Sequence, residues 1–211
     1  MAGGVNLEPQ IKICGLVNDE DARLLVKYKI QYAGFVLFYP KSKRCVSIDQ
    51  AREIMKNLSP EIKTVAVTVS PAKSQIEEIE RAGFDLIQIH GTMDMEGLEH
   101  SSIPILRAVN VDTQIQMEKF TKHIEDKISG YVFDGKNPGN GEKFDWALLD
   151  TIVKHNKKIM LAGGLNADNV RRAIETASPD IVDVSSGVEK DCGIGKEESK
   201  IKAFVKAVRN Q

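Results

Sequence analysis

Few side chains in this sequence are suited to moving a proton, and they lie far apart along the chain. Cys14, in Ile11-Lys12-Ile13-Cys14-Gly15, and His90, in Gln88-Ile89-His90-Gly91, are the possible bases. Asp134, between Phe133 and Gly135, is the possible carboxylic acid. Groups of these types in acid–base roles typically contribute about 10²–10⁴-fold each. Asp183 sits in the apolar run Ile181-Val182-Asp183-Val184, where an inward carboxylate is costly unless paired, which favours a polar site. Two turns, Leu161-Ala162-Gly163-Gly164-Leu165 and Val184-Ser185-Ser186-Gly187-Val188, suit an anion. Glycine lets backbone N–H groups approach closely, and a helix N-terminus adds a favourable dipole. Arg44, after Pro40-Lys41-Ser42-Lys43, fits either a solvated basic loop or an anion contact. Ordinary roles also exist for each of the others: a small buried thiol at Cys14, a hydrogen-bonded core imidazole at His90, a loop cap at Asp134, plain tight turns at the glycines.

Other chemistries lack their residues. His90, His100, His123 and His155 are scattered, with no HExxH or paired spacing, so no metal site is expected. No Gly-x-Gly-x-x-Gly follows a strand, no P-loop is present, and no Ser-His-Asp set can be assembled.

The elements that must carry these groups repeat regularly. Nearly continuous apolar runs mark strands at 11–14, 33–38, 64–69, 86–90, 105–109, 131–134, 159–162 and 181–185, the pattern of parallel strands buried on both faces. Helical segments alternate with them. Ser47-Ile48-Asp49-Gln50 is a capping box, Ser70-Pro71 reads as a cap followed by a first-turn proline, and Asp145 and Asn166 are N-cap candidates. Trp146, Leu149 and Val153 share one helical face. Eight strands alternating with about eight helices predict an α/β fold, a compact (β/α)₈ TIM barrel, rather than an open doubly wound sheet. No linker or composition shift divides the chain, so residues 1–211 are expected to form a single catalytic barrel domain.

In such barrels the site is built at the C-terminal ends of the strands. Those positions read Cys14, Phe38-Tyr39, Thr68, His90, Arg107, Asp134, Gly163-Gly164 and Ser185-Ser186-Gly187. The last two are the adjacent loops where barrels often hold a phosphate. Composition agrees with a small-molecule enzyme. The 211 residues carry 29 Lys+Arg against 30 Asp+Glu, a formal charge of −1, so nothing draws the chain to nucleic acid or to an anionic membrane. Apolar runs are far shorter than the ~18 residues of a spanning helix. Three cysteines without a CxxC pair, and an N-terminus without a signal-peptide pattern, fit a reducing cytoplasm.

Lys12-Ile13-Cys14-Gly15-Leu16, Gly34-Phe35 to Arg44, Gln88-Ile89-His90-Gly91, Asp134 with Phe144-Asp145-Trp146, Leu161 to Leu165 with Asn169-Val170, and Val182 to Glu189 together carry a resemblance. From residue 11 to 208 the chain resembles the phosphoribosylanthranilate isomerases of tryptophan biosynthesis. The resemblance implies an Amadori rearrangement of a phosphoribosyl substrate without metal or organic cofactor. It implies Cys14 as general base and Asp134 as general acid, Arg44 at the anthranilate carboxylate, His90 and Asp183 along the ribose and anthranilate, and Gly163, Gly164, Ser185, Ser186 and Gly187 around the phosphate. It is silent on oligomeric state.

The chain departs from the family in places. Pro138-Gly139-Asn140-Gly141-Glu142, then Lys143, stands where the family usually reads Gly-Gly-Ser/Thr-Gly-Lys. Thr68 and Ser70 replace the usual Phe and Asn, and Gly193-Ile194-Gly195-Lys196-Glu197 replaces a Gly-x-Lys-Asp. A glutamate near an anionic substrate should weaken attraction, with Lys136 and Lys143 as offsets. Two other readings follow from these changes: an isomerase of another or broader aminoaldose phosphate, and a non-catalytic phosphoribosyl-ligand binder.

Overall fold

The computed structural model describes residues 8–111, 122–135, 145–151, 157–192 and 194–209. Eight parallel strands close on themselves in sequence order: β1 (Gln10–Cys14), β2 (Tyr32–Val36), β3 (Lys63–Val69), β4 (Leu86–His90), β5 (Ile105–Val111), β6 (Ile128–Gly135), β7 (Lys158–Leu161) and β8 (Ile181–Val184). The expected (β/α)₈ barrel is therefore the fold. The connecting helices are α1 (Asp19–Lys27), α2 (Ile48–Met55), α3 (Lys73–Ala82), α4 (Met95–His100), α5 (Lys122–Lys127), α6 (Val170–Ala177) and α7 (Glu198–Arg209). Two 3₁₀ turns, Trp146–Thr151 and Ser186–Val188, complete the described elements.

Side chains sort by strand parity. Ile11, Ile13, Ala66, Ile87, Phe133 and Val182 point outward and bury against the helices in one extensive apolar layer. Cys14, Tyr32, Val65, Val67, Leu86, Leu106, Val132, Met160 and Ile181 fill the barrel interior. Every strand thus has two apolar faces, which is why each reads as a continuous run.

Helix starts follow local hydrogen bonding. At α2 the capping box is formed: Ser47 Oγ accepts from Gln50 N–H, and Gln50 Oε1 accepts from Ser47 N–H at 3.0 Å. At α3 the sequence expectation is corrected. The helix begins at Lys73 with Ala72 at the N-cap, where Gln75 Oε1 accepts from Ala72 N–H at 2.9 Å. Asp94 takes the Lys73 N–H at 2.9 Å. Ser70 instead has φ 48° and accepts from Thr92 N–H at 2.9 Å, tying the loop after β3 to the loop after β4. Asn166 accepts from the N–H groups of Asp168 and Asn169, capping the turn that leads into α6, whose own N-cap is Asn169. Asp145 accepts from Ala147 N–H at the start of a 3₁₀ turn that buries Trp146 and Leu149. Val153 lies outside the described residues.

Candidate active site

The interior changes character towards the C-terminal ends of the strands. Lys12 and Cys14 on β1, Gln88 and His90 on β4, Asp134 on β6 and Asp183 on β8 share the inward parity of the interior apolar residues, so six polar side chains converge on one mouth. Room for the thiol comes from β2. Gly34 is the register partner of Cys14, and a Cβ there would stand 2.9 Å from Sγ.

Lys12 is the electrostatic centre of the site. It pairs in register with Asp183 across the β1–β8 seam, and its fully buried ammonium donates to Asp183 Oδ2 at 2.8 Å. Burial pulls the Lys12 ammonium down, but Asp183 and then Cys14 more than restore it, leaving it above its ordinary value. The same ammonium acts on three neighbours. Burial pushes the Cys14 thiol up, Lys12 and Lys196 oppose this, and the net direction is upward. Burial and the Asp183 carboxylate raise Asp134 to about 6, against the Gly135 N–H that its Oδ1 accepts at 2.8 Å. Burial, Lys12 and Arg107 hold His90 down at about 4, so its ring is neutral at physiological pH. Gln88 Nε2 lies 2.9 Å from His90 Nε2; with the amide as donor, the ring carries its proton on Nδ1. Among the described residues, His90 Nδ1, Gln88 Oε1 and Asp183 Oδ1 are buried without a hydrogen-bond partner. A ligand's hydroxyls would complete them.

The basic loop after β2 reaches the same mouth. Gly15, directly after Cys14, has φ 79°, and a Cβ there would stand 2.6 Å from Arg44 Cδ. The glycine therefore serves both the left-handed turn and the passage of the arginine stem. Arg44 Nε and Nη2 donate to Oε1 and Oε2 of Glu189, the latter at 3.2 Å. Lys43 at 2.9 Å and the fully buried Lys196 at 3.4 Å also face Glu189. Burial raises the Glu189 carboxyl, but Arg44, Lys43 and Lys196 outweigh it and hold the group at about 2. Three cations thus converge on this one carboxylate.

The two glycine loops pack on each other. Gly163 and Gly164 have φ 85° and 62°, conformations open to glycine, and Asn169 Nδ2 donates to Gly164 O at 2.8 Å. A Cβ on Gly187 would stand 2.1 Å from Leu165 O, so the loop after β8 rests directly on the loop after β7. Ser185 Oγ donates to Cys14 O at 2.9 Å, which fastens that loop to the end of β1 and commits the hydroxyl proton. Ser186 opens the 3₁₀ turn that follows.

The structure thus gathers Cys14, His90, Asp134 and Asp183 on inward strand positions, with Arg44 and both glycine loops at the rim. Two strand-end residues in the sequence reading face elsewhere. Thr68 and Arg107 have outward parity; Thr68 Oγ1 donates to Gln88 O at 3.1 Å and Arg107 Nη1 to Ile89 O at 2.9 Å, both buried under the helices. Lys12, Gln88, Glu189 and Lys196 were not singled out from sequence. Lys12 and Gln88 each stand two residues before a chosen group on an alternating strand, which is the signal that could have found them. The segment from Lys136 to Lys143, with the altered Pro138–Glu142 stretch, lies outside the described residues.

A (β/α)₈ barrel with a thiol, a carboxyl raised to about 6 and an anion-suited pair of loops at its C-terminal mouth defines a class: acid–base enzymes acting on small anionic substrates. Comparison with known proteins gives the particular family. The model of the N-(5′-phosphoribosyl)anthranilate (PRA) isomerase family matches residues 11–207. The N-(5′-phosphoribosyl)anthranilate isomerase of Clostridium kluyveri is 40% identical over 203 residues, covering 95% of this chain and 98% of its own length. That of Streptococcus mutans is 38% identical over 201 residues, with the same coverages. The crystal structure of phosphoribosyl anthranilate isomerase from Thermotoga maritima superposes with a TM-score of 0.81 at 33% identity, covering 96% of this chain and all of that one. A phosphoribosyl anthranilate isomerase in complex with reduced 1-(o-carboxyphenylamino)-1-deoxyribulose 5-phosphate superposes with a TM-score of 0.79 at 32% identity, with the same coverages. The chain belongs to the phosphoribosylanthranilate isomerase family and is an isomerase.

Proposed function

We propose that this chain carries out the Amadori rearrangement of N-(5′-phosphoribosyl)anthranilate to 1-(o-carboxyphenylamino)-1-deoxyribulose 5-phosphate, a step of tryptophan biosynthesis, with Asp134 as general acid and Cys14 as general base. One observation carries the assignment: the two groups sit at inward strand-end positions of one buried mouth, beside a single ammonium, Lys12, that acts on both. Asp134 gives its proton to the furanose ring oxygen, the C1′–O bond breaks, and the amine lone pair forms a protonated Schiff base. Cys14, as thiolate, removes the proton at C2′, and the electron pair moves into the C1′–C2′ bond to give an enolamine. Protonation at C1′ with loss of the 2′-hydroxyl proton then yields the ketone. The substrate's own nitrogen is the electron sink, so the step needs no cofactor.

Binding follows from the remaining groups. Asp183 Oδ1 and His90 Nδ1, an acceptor and a donor without partners, suit the ribose hydroxyls. The outer edge of Arg44 suits the anthranilate carboxylate, since a guanidinium binds two oxygens in plane. Backbone N–H groups around Gly163, Gly164, Ser185, Ser186 and Gly187 suit the phosphate. No helix among the described residues is long and apolar enough to cross a membrane, and a cytoplasmic location agrees with the metabolic role. The test is turnover of phosphoribosylanthranilate by the purified protein. Cys14→Ser and Asp134→Asn are each expected to lose at least about 10²-fold in kcat while melting cooperatively. Wild-type turnover in either variant would remove that residue from its role.

A further inference from the structure

We propose that Glu189 is a positioning residue that presents Arg44 to the carboxylate of the substrate's aromatic ring. The proposal rests on the reading of Arg44 given above and adds how its direction is set. A guanidinium offers two edges with paired N–H groups: a side edge, Nε with Nη2, and an end edge, Nη1 with Nη2. Glu189 takes the side edge with both carboxylate oxygens. Among the described residues nothing accepts from the end edge, which leaves it for a second, planar bidentate partner. The arginine cannot slide along this clamp, because its stem crosses the Cα of Gly15 so closely that a Cβ there would stand 2.6 Å from Cδ.

The clamp itself is anchored. Glu189 N–H donates to Ser186 O at 3.2 Å, and Glu189 O accepts from Lys200 Nζ at 2.9 Å. Lys196, fully buried, donates to Ser185 O at 3.3 Å and faces Glu189 Oε1 at 3.4 Å. Lys43 adds a third cation at 2.9 Å from Oε2. Arg44 and Glu189 are 145 residues apart, so the pair also ties the loop after β2 to the loop after β8.

Charge and geometry predict opposite effects, and this makes the role measurable. Glu189 is a negative group beside the place of an anion; by its field alone, removing it should tighten binding. As a clamp, removing it frees Arg44 to take other rotamers and weakens binding of a carboxylate.

The probes are two ligands, measured by calorimetry on the full-length protein: reduced 1-(o-carboxyphenylamino)-1-deoxyribulose 5-phosphate, and the matching anilino compound without the carboxylate. Wild type is expected to prefer the first, and Arg44→Met to lose that preference. Glu189→Gln is expected to weaken the carboxylate ligand by about tenfold, with the anilino ligand changed less than about twofold. The double variant should bind no more weakly than Arg44→Met. If Glu189→Gln keeps the preference, or tightens the carboxylate ligand, while Arg44→Met loses it, the positioning role alone is overturned. If Arg44→Met keeps the preference, the underlying reading of Arg44 falls, and the role of Glu189 with it. Should Glu189→Gln not fold, Glu189→Asp, which keeps the charge but shortens the arm, must show a partial loss of preference; an unchanged preference overturns the role.

Discussion

Asp134 titrates near 6 because burial and the Asp183 carboxylate both disfavour its anion, whereas burial keeps the Cys14 thiol above its ordinary range despite Lys12 and Lys196. Near neutral pH the resting pair is therefore a carboxylate and a thiol, the reverse of the proposed acid and base roles. The productive form, carboxylic acid with thiolate, is a minor tautomer with the same total proton count. Below about pH 6 both groups hold protons and the thiolate is absent. Removing one proton populates the productive tautomer at a constant fraction, until Cys14 itself titrates and the second proton is lost. So kcat/KM should rise with pH through about 6 and fall only above the ordinary thiol range. A pH profile of kcat/KM checks this; activity that declines through pH 6 would show that Asp134 starts out protonated and that its surroundings act otherwise. Residue types marked Cys14 and Asp134 in the sequence as a candidate base and a candidate acid. Their pKa directions were not legible, since both depend first on burial in the barrel mouth and then on Asp183, which meets Cys14 and Asp134 only when the sheet closes.

Each loop at the mouth is shaped by what packs against it. Gly187 touches Leu165 O so closely that a methyl group would stand at 2.1 Å, and the loops after β7 and β8 cannot keep their spacing with any larger residue. Gly187→Ala should therefore separate the two loops. Steady-state kinetics should show KM for the phosphorylated substrate raised about tenfold or more, with a smaller change in kcat, and weaker inhibition by inorganic phosphate. An alanine variant with unchanged KM and phosphate inhibition would place the phosphate elsewhere. The sequence showed both loops through their glycines, but not that one rests on the other. Local signals also had uneven reach. Ser47-Ile48-Asp49-Gln50 is satisfied within four residues and forms the expected cap, whereas Ser70 does not cap α3 because it bonds Thr92, a partner 22 residues away.

Closing a barrel joins the first strand to the last, and here the seam carries a buried charge pair, Lys12 with Asp183. Breaking a buried pair from one side leaves an unpaired charge, typically costing about 3–5 kcal/mol. Lys12→Met should lower stability by that order in chemical denaturation, and Lys12→Met/Asp183→Asn should recover most of it. A double variant as unstable as Lys12→Met would mean that Lys12 stabilises by packing, not by its partner. Across the whole molecule, eight apolar runs in the sequence already dictate the order of the barrel strands, because strands buried on both faces must read as short apolar runs. The same continuity hides which face is which. Alternation cannot be seen where both faces are apolar, so Thr68 and Arg107 read as mouth residues although their register turns them outward. Lys12 meets Asp183 across 171 residues and Arg44 meets Glu189 across 145. Those encounters arise from strand register and from closure of the sheet, which bring distant segments of the chain side by side.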